Sequence, residues 1–419
     1  MPTPQRLLEL RRSLPTPELT DVAGTISEQM ETLLGDSALR PGDTVAIAVG
    51  SRGIAQLPFL IETLVCEFQR RGARPFLVPA MGSHGGATPA GQAQVLRNLG
   101  IAAHNWQVEI RADMETVLLG TTPLGLPVHF SREALQADHV FLCNRVKPHT
   151  RFTGPIQSGL MKMLVIGLGK QAGAAACHRL AHHIPFEQLV IQGTETILGR
   201  APVLGGLAVI ENAREHIANI AAISARDFIQ REPDLLIQAE SLMSRLPLEQ
   251  IDLLIIDELG KEISGSGMDT NVVGRKENDH VSGKRDWCQT RLIYVRGLTA
   301  ATAGNATGLG MAEFTRPEAV AEVDWQKTAL NCITAGHPTA AMCPIVLGSD
   351  AAVLDAAESI LGQPPRLVHI RNTLQLEHLF VSQACQAEID TRESGLTWGL
   401  PFPLTCDARG HFTHRLQKN

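Results

Sequence analysis

One lysine, Lys162, interrupts the apolar run GLMKMLVIGLG, and a histidine stands on either side of it, His149 before and His178 after. A buried ammonium costs several kcal/mol unless it is paired or neutralised. Two readings of Lys162 stay open: a side chain that snorkels from a half-buried helix, or an amine desolvated so that its neutral form can bond covalently to a cofactor or substrate. Gly154, Gly159, Gly167, Gly169 and Gly173 crowd the same segment, as expected where backbone lies against a bulky ligand. GLGKQAG lacks the spacing of a phosphate-binding loop, and GSRG does not complete a dinucleotide fingerprint.

Three polar residues close apolar runs in the first half: Arg52 in GSRG, His84 in GSHGG and His149 in KPH. Each alone reads more readily as an ordinary surface or loop residue than as a catalyst. Three at equivalent ends of one parallel sheet mark the edge where ligands bind in such folds. His178 and His182 are four apart, on one face if helical, and read either as a metal pair or as a solvated face. Arg179 stands where a zinc protease helix would need glutamate. In the second half Glu258 and Lys261 end the strand-like run IDLLIIDELGK. They read as an exposed ion pair or as part of a site in a cleft between domains.

The elements that must position these residues alternate. TVAIAVGSRG (44–53) and RPFLVPAMGSHGG (74–86) read as buried strands ending in glycine turns, and 55–72 and 88–100 as helices, the second capped by Thr88. A hairpin is predicted around 116–130 and a strand over 138–149, then a helix over 225–246 and a strand over 251–260. Further strands are predicted at 291–299, 339–348 and 366–372. This pattern predicts an α/β chain: two α/β domains with mostly parallel sheets, residues 1–247 and 248–419, with the active site in the cleft between them. The C-terminal tail carries no clear element and is open to packing back on the first domain.

Composition narrows the partners. The 419 residues carry a formal charge of −6 with 4% aromatics, so neither a basic nucleic-acid stripe nor a base-stacking platform is expected. No stretch approaches the length of a membrane span, and eight cysteines without a CxxC pair suit a reducing compartment. The expectation is a soluble cytoplasmic protein acting on a small molecule, with no nucleic acid and no membrane.

Taken together, these residues resemble the nickel-pincer-dependent racemases and epimerases, the lactate racemase family, over roughly residues 40 to 265. GSHGGATP with His84 resembles the family's histidine after a Ser-Gly-Thr turn. His149 follows a proline and leads to SGLMK, which resembles the family's Ser-Gly-x-x-Lys element ending at the cofactor lysine, here Lys162. Sixteen residues on, His178 falls at the position of the nickel-ligating histidine. Arg52 resembles the arginine of the family's first loop, and ELGK resembles its Gln-x-x-Lys pair at Glu258 and Lys261.

The resemblance implies a racemase or epimerase that inverts C2 of a 2-hydroxy acid by proton-coupled hydride transfer. The nickel-pincer nucleotide would be covalent on Lys162 and its nickel bound by His178. His84 and His149 would be the paired acid and base, with Arg52, Glu258 and Lys261 on cofactor and substrate. It also implies cofactor-maturation enzymes as partners. Val49 stands where the family has aspartate and Glu258 where it has glutamine, and the chain from His149 to Lys162 is longer. A carboxylate at Glu258 favours a monocarboxylic substrate, polyhydroxylated or with a modest aliphatic tail, over malate-like diacids. The alternatives are a zinc- or iron-dependent hydrolase or lyase ligating through His84, His149 and His178, and a non-catalytic nickel or cofactor carrier.

Overall fold

The computed structural model describes residues 5–416 apart from 15, 36 and 52. The chain divides into two units between Met243 and Ser244, and residues up to Leu14 belong with the C-terminal unit. The first strand, β1 (Arg6–Arg11), therefore lies outside the unit that follows it in sequence, although the sequence reading kept residues 1–247 together. Its Leu7, Leu8 and Leu10 are buried beside β14 (His378–Ser382), to which β1 pairs antiparallel from Leu7↔Ser382 to Arg11↔His378.

The N-terminal unit is built on β2 (Thr44–Val49), β3 (Arg74–Pro79), β6 (His139–Arg145), β7 (Val203–Glu211) and β8 (Ile217–Ser224), in the order β3-β2-β6-β7-β8. The first four are parallel and β8 runs antiparallel to β7. A separate hairpin joins β4 (Thr116–Thr121) and β5 (Pro127–Ser131), with a register shift between Leu118 and Gly120.

Side chains alternate across the sheet with the period of two that strands impose. Val45, Ile47 and Val49 face a core with Ile26 and Met30 of α1 (Val22–Gly35) and Leu60, Leu64 and Phe68 of α2 (Leu57–Arg70). Ala46 and Ala48 face the opposite core, shared with the lysine segment and the helices after it. Helix α3 (Pro89–Asn98) begins as predicted: Pro89 takes its first position and Thr88 Oγ1 accepts from Gly91 N at 3.1 Å. A short helix, α4 (Arg132–Leu135), follows the hairpin.

The lysine segment is not one helix. It runs as α5 (Gly159–Lys162), a π-helical turn (Met163–Gly167) and α6 (Lys170–Leu180), followed by α7 (Phe186–Leu198) and, after β8, α8 (Phe228–Ser241). Sequence reading passed over α7, β7 and β8. The strands are rich in alanine and glycine, and Gly206 is small because Leu142 and Leu160 pack within about 3.0 Å of where a Cβ would stand.

In the C-terminal unit β9 (Gln250–Ile256), β10 (Gln289–Val295), β11 (Phe314–Thr315), β12 (Ile345–Val346) and β13 (Leu367–Ile370) are parallel, in the order β12-β11-β10-β9-β13. Beyond β13 the sheet continues antiparallel through β14 and β1 to the short β15 (Thr397–Trp398), and β16 (Phe402–Pro403) also pairs with β1. The tail is thus bonded within this unit, with Leu404 N donating to Gln5 O at 2.8 Å.

A buried charge network lies near the ends of the central strands. Arg296 bonds Asp350 at 3.1 and 2.9 Å and pairs with Asp257, while Tyr294 Oη donates to Asp350 at 2.6 Å and His369 Nε2 meets Asp257 at 2.8 Å. Burial alone would raise the Asp257 carboxyl, but His369 and Arg296 outweigh it and hold it well below the usual range. Phe412 N donates to Asp350 Oδ2 at 2.8 Å, which ties the tail to the network. No described helix is long and apolar enough to cross a membrane.

Candidate active site

His84 follows β3 and begins a 3-10 turn, Gly85–Ala87. It is exposed, and its Nδ1 hydrogen-bonds Ser51 Oγ at the end of neighbouring β2. A serine hydroxyl can donate or accept there, so His84 can carry its proton on either nitrogen. The loop beneath it lies backbone-to-backbone on the π-turn, with Gly82 N donating to Gly167 O at 3.1 Å. A Cβ at Gly167 would stand 2.7 Å from Ala80 O, so only glycine permits that approach.

His149 follows β6, two strands from β3 in the sheet. The connection onward to α5 is knitted by its own polar groups: Lys147 N donates to Ser158 Oγ at 2.8 Å, Ser158 Oγ returns a bond to Lys147 O at 2.6 Å, and His149 N donates to Gln157 Oε1 at 2.9 Å. The imidazole Nδ1 accepts from two backbone groups, Arg151 N at 3.1 Å and Phe152 N at 3.2 Å. Neutral His149 must then carry its proton on Nε2. In this conformation it presents a donor at that atom, not a lone pair.

Lys162 ends α5, which Glu232 holds from α8. Glu232 Oε2 accepts from Leu160 N at 2.8 Å and Met161 N at 3.1 Å. Burial pushes the Glu232 carboxyl up to about 8 despite these two bonds. Gly159 has φ +81°, and a Cβ on it would stand 2.5 Å from Glu232 Oε1.

Lys162 itself is half-buried, although Met161, Met163 and Leu164 around it are buried. Its Nζ lies 5.1 Å from the Phe152 ring centroid and 5.5 Å from that of Phe186, within cation–π range. Phe152 stacks on Phe186 with centroids 3.7 Å apart and on His149 at 4.4 Å. One aromatic stack therefore links His149 and Lys162.

His178 sits in the last turn of α6, and His182 lies past the helix end, so the two do not share a helical face. Burial lowers the His178 pKa, and the positive charge of Lys162 and neighbouring His182 lower it further. A neutral imidazole is the form that ligates metals. Burial raises the adjacent Cys177 thiol to about 11, which keeps it protonated. Among the described residues no three His, Cys, Asp or Glu side chains are grouped to hold a metal ion.

Four other residues were singled out by sequence. Arg52 lies outside the described residues. Val49 is fully buried in the core between β2 and the α1–α2 layer. Glu258 and Lys261 follow β9 in the C-terminal unit. The Glu258 carboxylate accepts from Arg371 Nε at 2.8 Å and Asn372 Nδ2 at 2.8 Å, and Lys261 Nζ donates to Gly265 O at 2.5 Å. Arg371 balances the Glu258 charge, so the repulsion of diacids that the sequence suggested loses its premise.

Sequence reasoning missed the lysine that is fully buried. Lys170, first residue of α6, has no exposed surface, and burial lowers its pKa to about 8. Its signal was present in GLGKQAG, where a lysine stands among small residues at the foot of a helix.

Residues 3–187 match the family model described as the lactate racemase N-terminal domain. Among solved structures, the lactate racemase apoprotein from Thermoanaerobacterium thermosaccharolyticum is similar in fold, with a TM-score of 0.53 at 14% identity over 87% of this chain and 94% of that one. No curated protein matches the chain.

Proposed function

We propose that this chain, whose residues 3–187 match the family model described as the lactate racemase N-terminal domain, is a racemase or epimerase inverting C2 of a 2-hydroxy acid. In this reading a nickel-pincer nucleotide is carried covalently on Lys162, with His178 as the protein's nickel ligand. The observation that carries it is the stack of His149, Phe152 and Phe186 with the Lys162 amine against it.

The residues fit such a group. Phe152 and Phe186 offer flat apolar surface beside the anchoring amine, His178 is held toward its neutral form, and Cys177 stays a thiol that does not compete for metal. When bound, the cofactor supplies the hydride acceptor for the substrate carbon, a step that side chains alone do not provide because an α-hydroxy C–H is very weakly acidic.

The side chains handle the proton. In one direction of the inversion His84, with Ser51 on Nδ1, takes the substrate hydroxyl proton at Nε2 and His149 supplies the proton to the oxygen on return, and for the opposite enantiomer the two exchange roles. His149 faces the reaction as a donor at Nε2. To transfer that proton fully it must take another at Nδ1, which requires the Arg151 and Phe152 N–H groups to move away. Proton delivery from His149 is therefore coupled to loosening of the turn at 150–152.

The test is a panel of 2-hydroxy acids deuterated at C2 and given to protein matured with the cofactor-synthesis enzymes. Inversion with the label retained at C2 is expected. Inversion with loss of the label to solvent would mean simple deprotonation and would overturn the reading.

A further inference from the structure

Among the described residues Lys170 has no carboxylate in contact to justify burying a cation. Its Nζ donates instead to two neutral oxygens, Pro79 O at 2.6 Å and Gln92 Oε1 at 3.2 Å. Asp113 and Glu133 attract it only as more distant charges. An apolar side chain of the same length would fill the space without the desolvation cost, so the amine serves its hydrogen bonds.

Those bonds lead to one place. Pro79 is the last residue of β3, and the His84 loop begins directly after it. Gln92, fully buried in α3, uses its amide nitrogen on the same loop, donating to Gly82 O at 2.9 Å and His84 O at 3.3 Å. Lys170 fixes the orientation of that amide, because an ammonium can only face the amide oxygen, which turns the NH2 toward the loop. Lys170 also adopts φ +53°, an unfavourable conformation for a side chain other than glycine. It stands eight residues after Lys162 on the same segment.

We propose that Lys170 is a positioning residue for His84, holding the His84 loop through Gln92 in register with the segment that carries Lys162. This rests on the roles of Lys162 and His84 given above. Lys170 touches neither reacting atoms nor cofactor in this reading; it acts through the loop alone.

Lys170→Met removes the amine, and Gln92→Glu keeps an acceptor for Lys170 while removing the donor to the loop. In the apoprotein, hydrogen exchange read by mass spectrometry should speed up at least about tenfold over residues 80–88 in both variants, with 146–162 unchanged. This arm needs neither cofactor nor activity. In matured protein the mass of the Lys162 adduct should be unaltered in both, while kcat falls roughly 10–100-fold, as a misplacement near 1 Å would cause, and KM stays within about twofold.

On a His84→Ala background Lys170→Met should add no further loss, whereas on His149→Ala it should exert its full effect. An unchanged exchange rate over 80–88, or an equal further loss on the His84→Ala background, would overturn the inference. Absence of an adduct in the wild-type protein would instead overturn the function assigned to Lys162, and the exchange arm would still decide the role of Lys170.

Discussion

Glu232→Gln isolates the group that holds the lysine-bearing helix. Burial pushes the Glu232 carboxyl up to about 8 from an ordinary 4.5. The folded protein thus keeps a proton that the unfolded chain releases above about pH 4.5. Stability must then fall as pH rises from that value to about 8, and level off beyond it, because the unfolded state binds fewer protons across the window. Each pH unit inside the window is worth up to about 1.4 kcal/mol, so from pH 6 to pH 8 the wild type should lose on the order of 3 kcal/mol through this group.

Glutamine cannot titrate, yet its amide oxygen can accept from Leu160 N and Met161 N as Glu232 Oε2 does. The other carboxylate oxygen, Oε1, is buried without a hydrogen-bond partner among the described residues. Protonated glutamate and glutamine therefore leave a similar unmet donor in the same place. At pH 6 the two proteins should melt within a few degrees of each other. At pH 8 the variant should melt higher relative to wild type by roughly 5–10 °C, taking about 2–4 °C per kcal/mol for a unit of this size. Thermal unfolding followed by near-ultraviolet circular dichroism at the two pH values supplies the comparison. Parallel pH dependence in the two proteins would refute the argument, since Glu232 would then be ionised in both states or in neither.

Two further expectations concern the metal and the acid–base pair. His178→Ala should sharply lower the nickel bound per chain after maturation, while His84→Ala should keep its nickel and lose turnover by about 10²–10⁴-fold; elemental analysis with kinetics separates the two, and equal nickel loss in both would remove His178 from its assigned role. In the apoprotein, nitrogen NMR of the imidazoles at neutral pH should find His149 with its proton on Nε2 and an accepting Nδ1; a protonated Nδ1 would contradict the bonds from Arg151 and Phe152.

Much of the N-terminal unit was legible because its first strands are apolar runs that stop at glycine turns, which is how buried parallel strands read. The strands β2, β3 and β6 and the cap at Thr88 fall where pattern and cap chemistry place them. The alanine- and glycine-rich strands β7 and β8 carry weak local preference, and their strand character comes from the neighbours they pack against. The apolar run 339–348 predicted a strand, but only Ile345 and Val346 pair, and both are exposed at the sheet edge.

At the site, His84 and His149 were visible as polar residues closing strands. Lys162 is half-buried, the exposure that the first of its two readings expects, because the apolar residues flanking it turn inward while its own side chain rests against Phe152 and Phe186. The buried amine is Lys170, and no periodicity could reveal it: its partners lie 78 and 91 residues away in sequence. The tie between Glu258 and Arg371 is equally long-range, at 113 residues, so a carboxylate that sequence left facing the substrate proves to be engaged.

The central claim is that Lys162 anchors the cofactor. Protein produced together with the cofactor-maturation enzymes, digested and mapped by mass spectrometry, tests it most directly. The account predicts a covalent adduct on the peptide containing Lys162, and a Lys162→Ala protein that folds and carries none. An adduct on Lys147 or Lys170, or a fully active protein with every lysine unmodified, would contradict it.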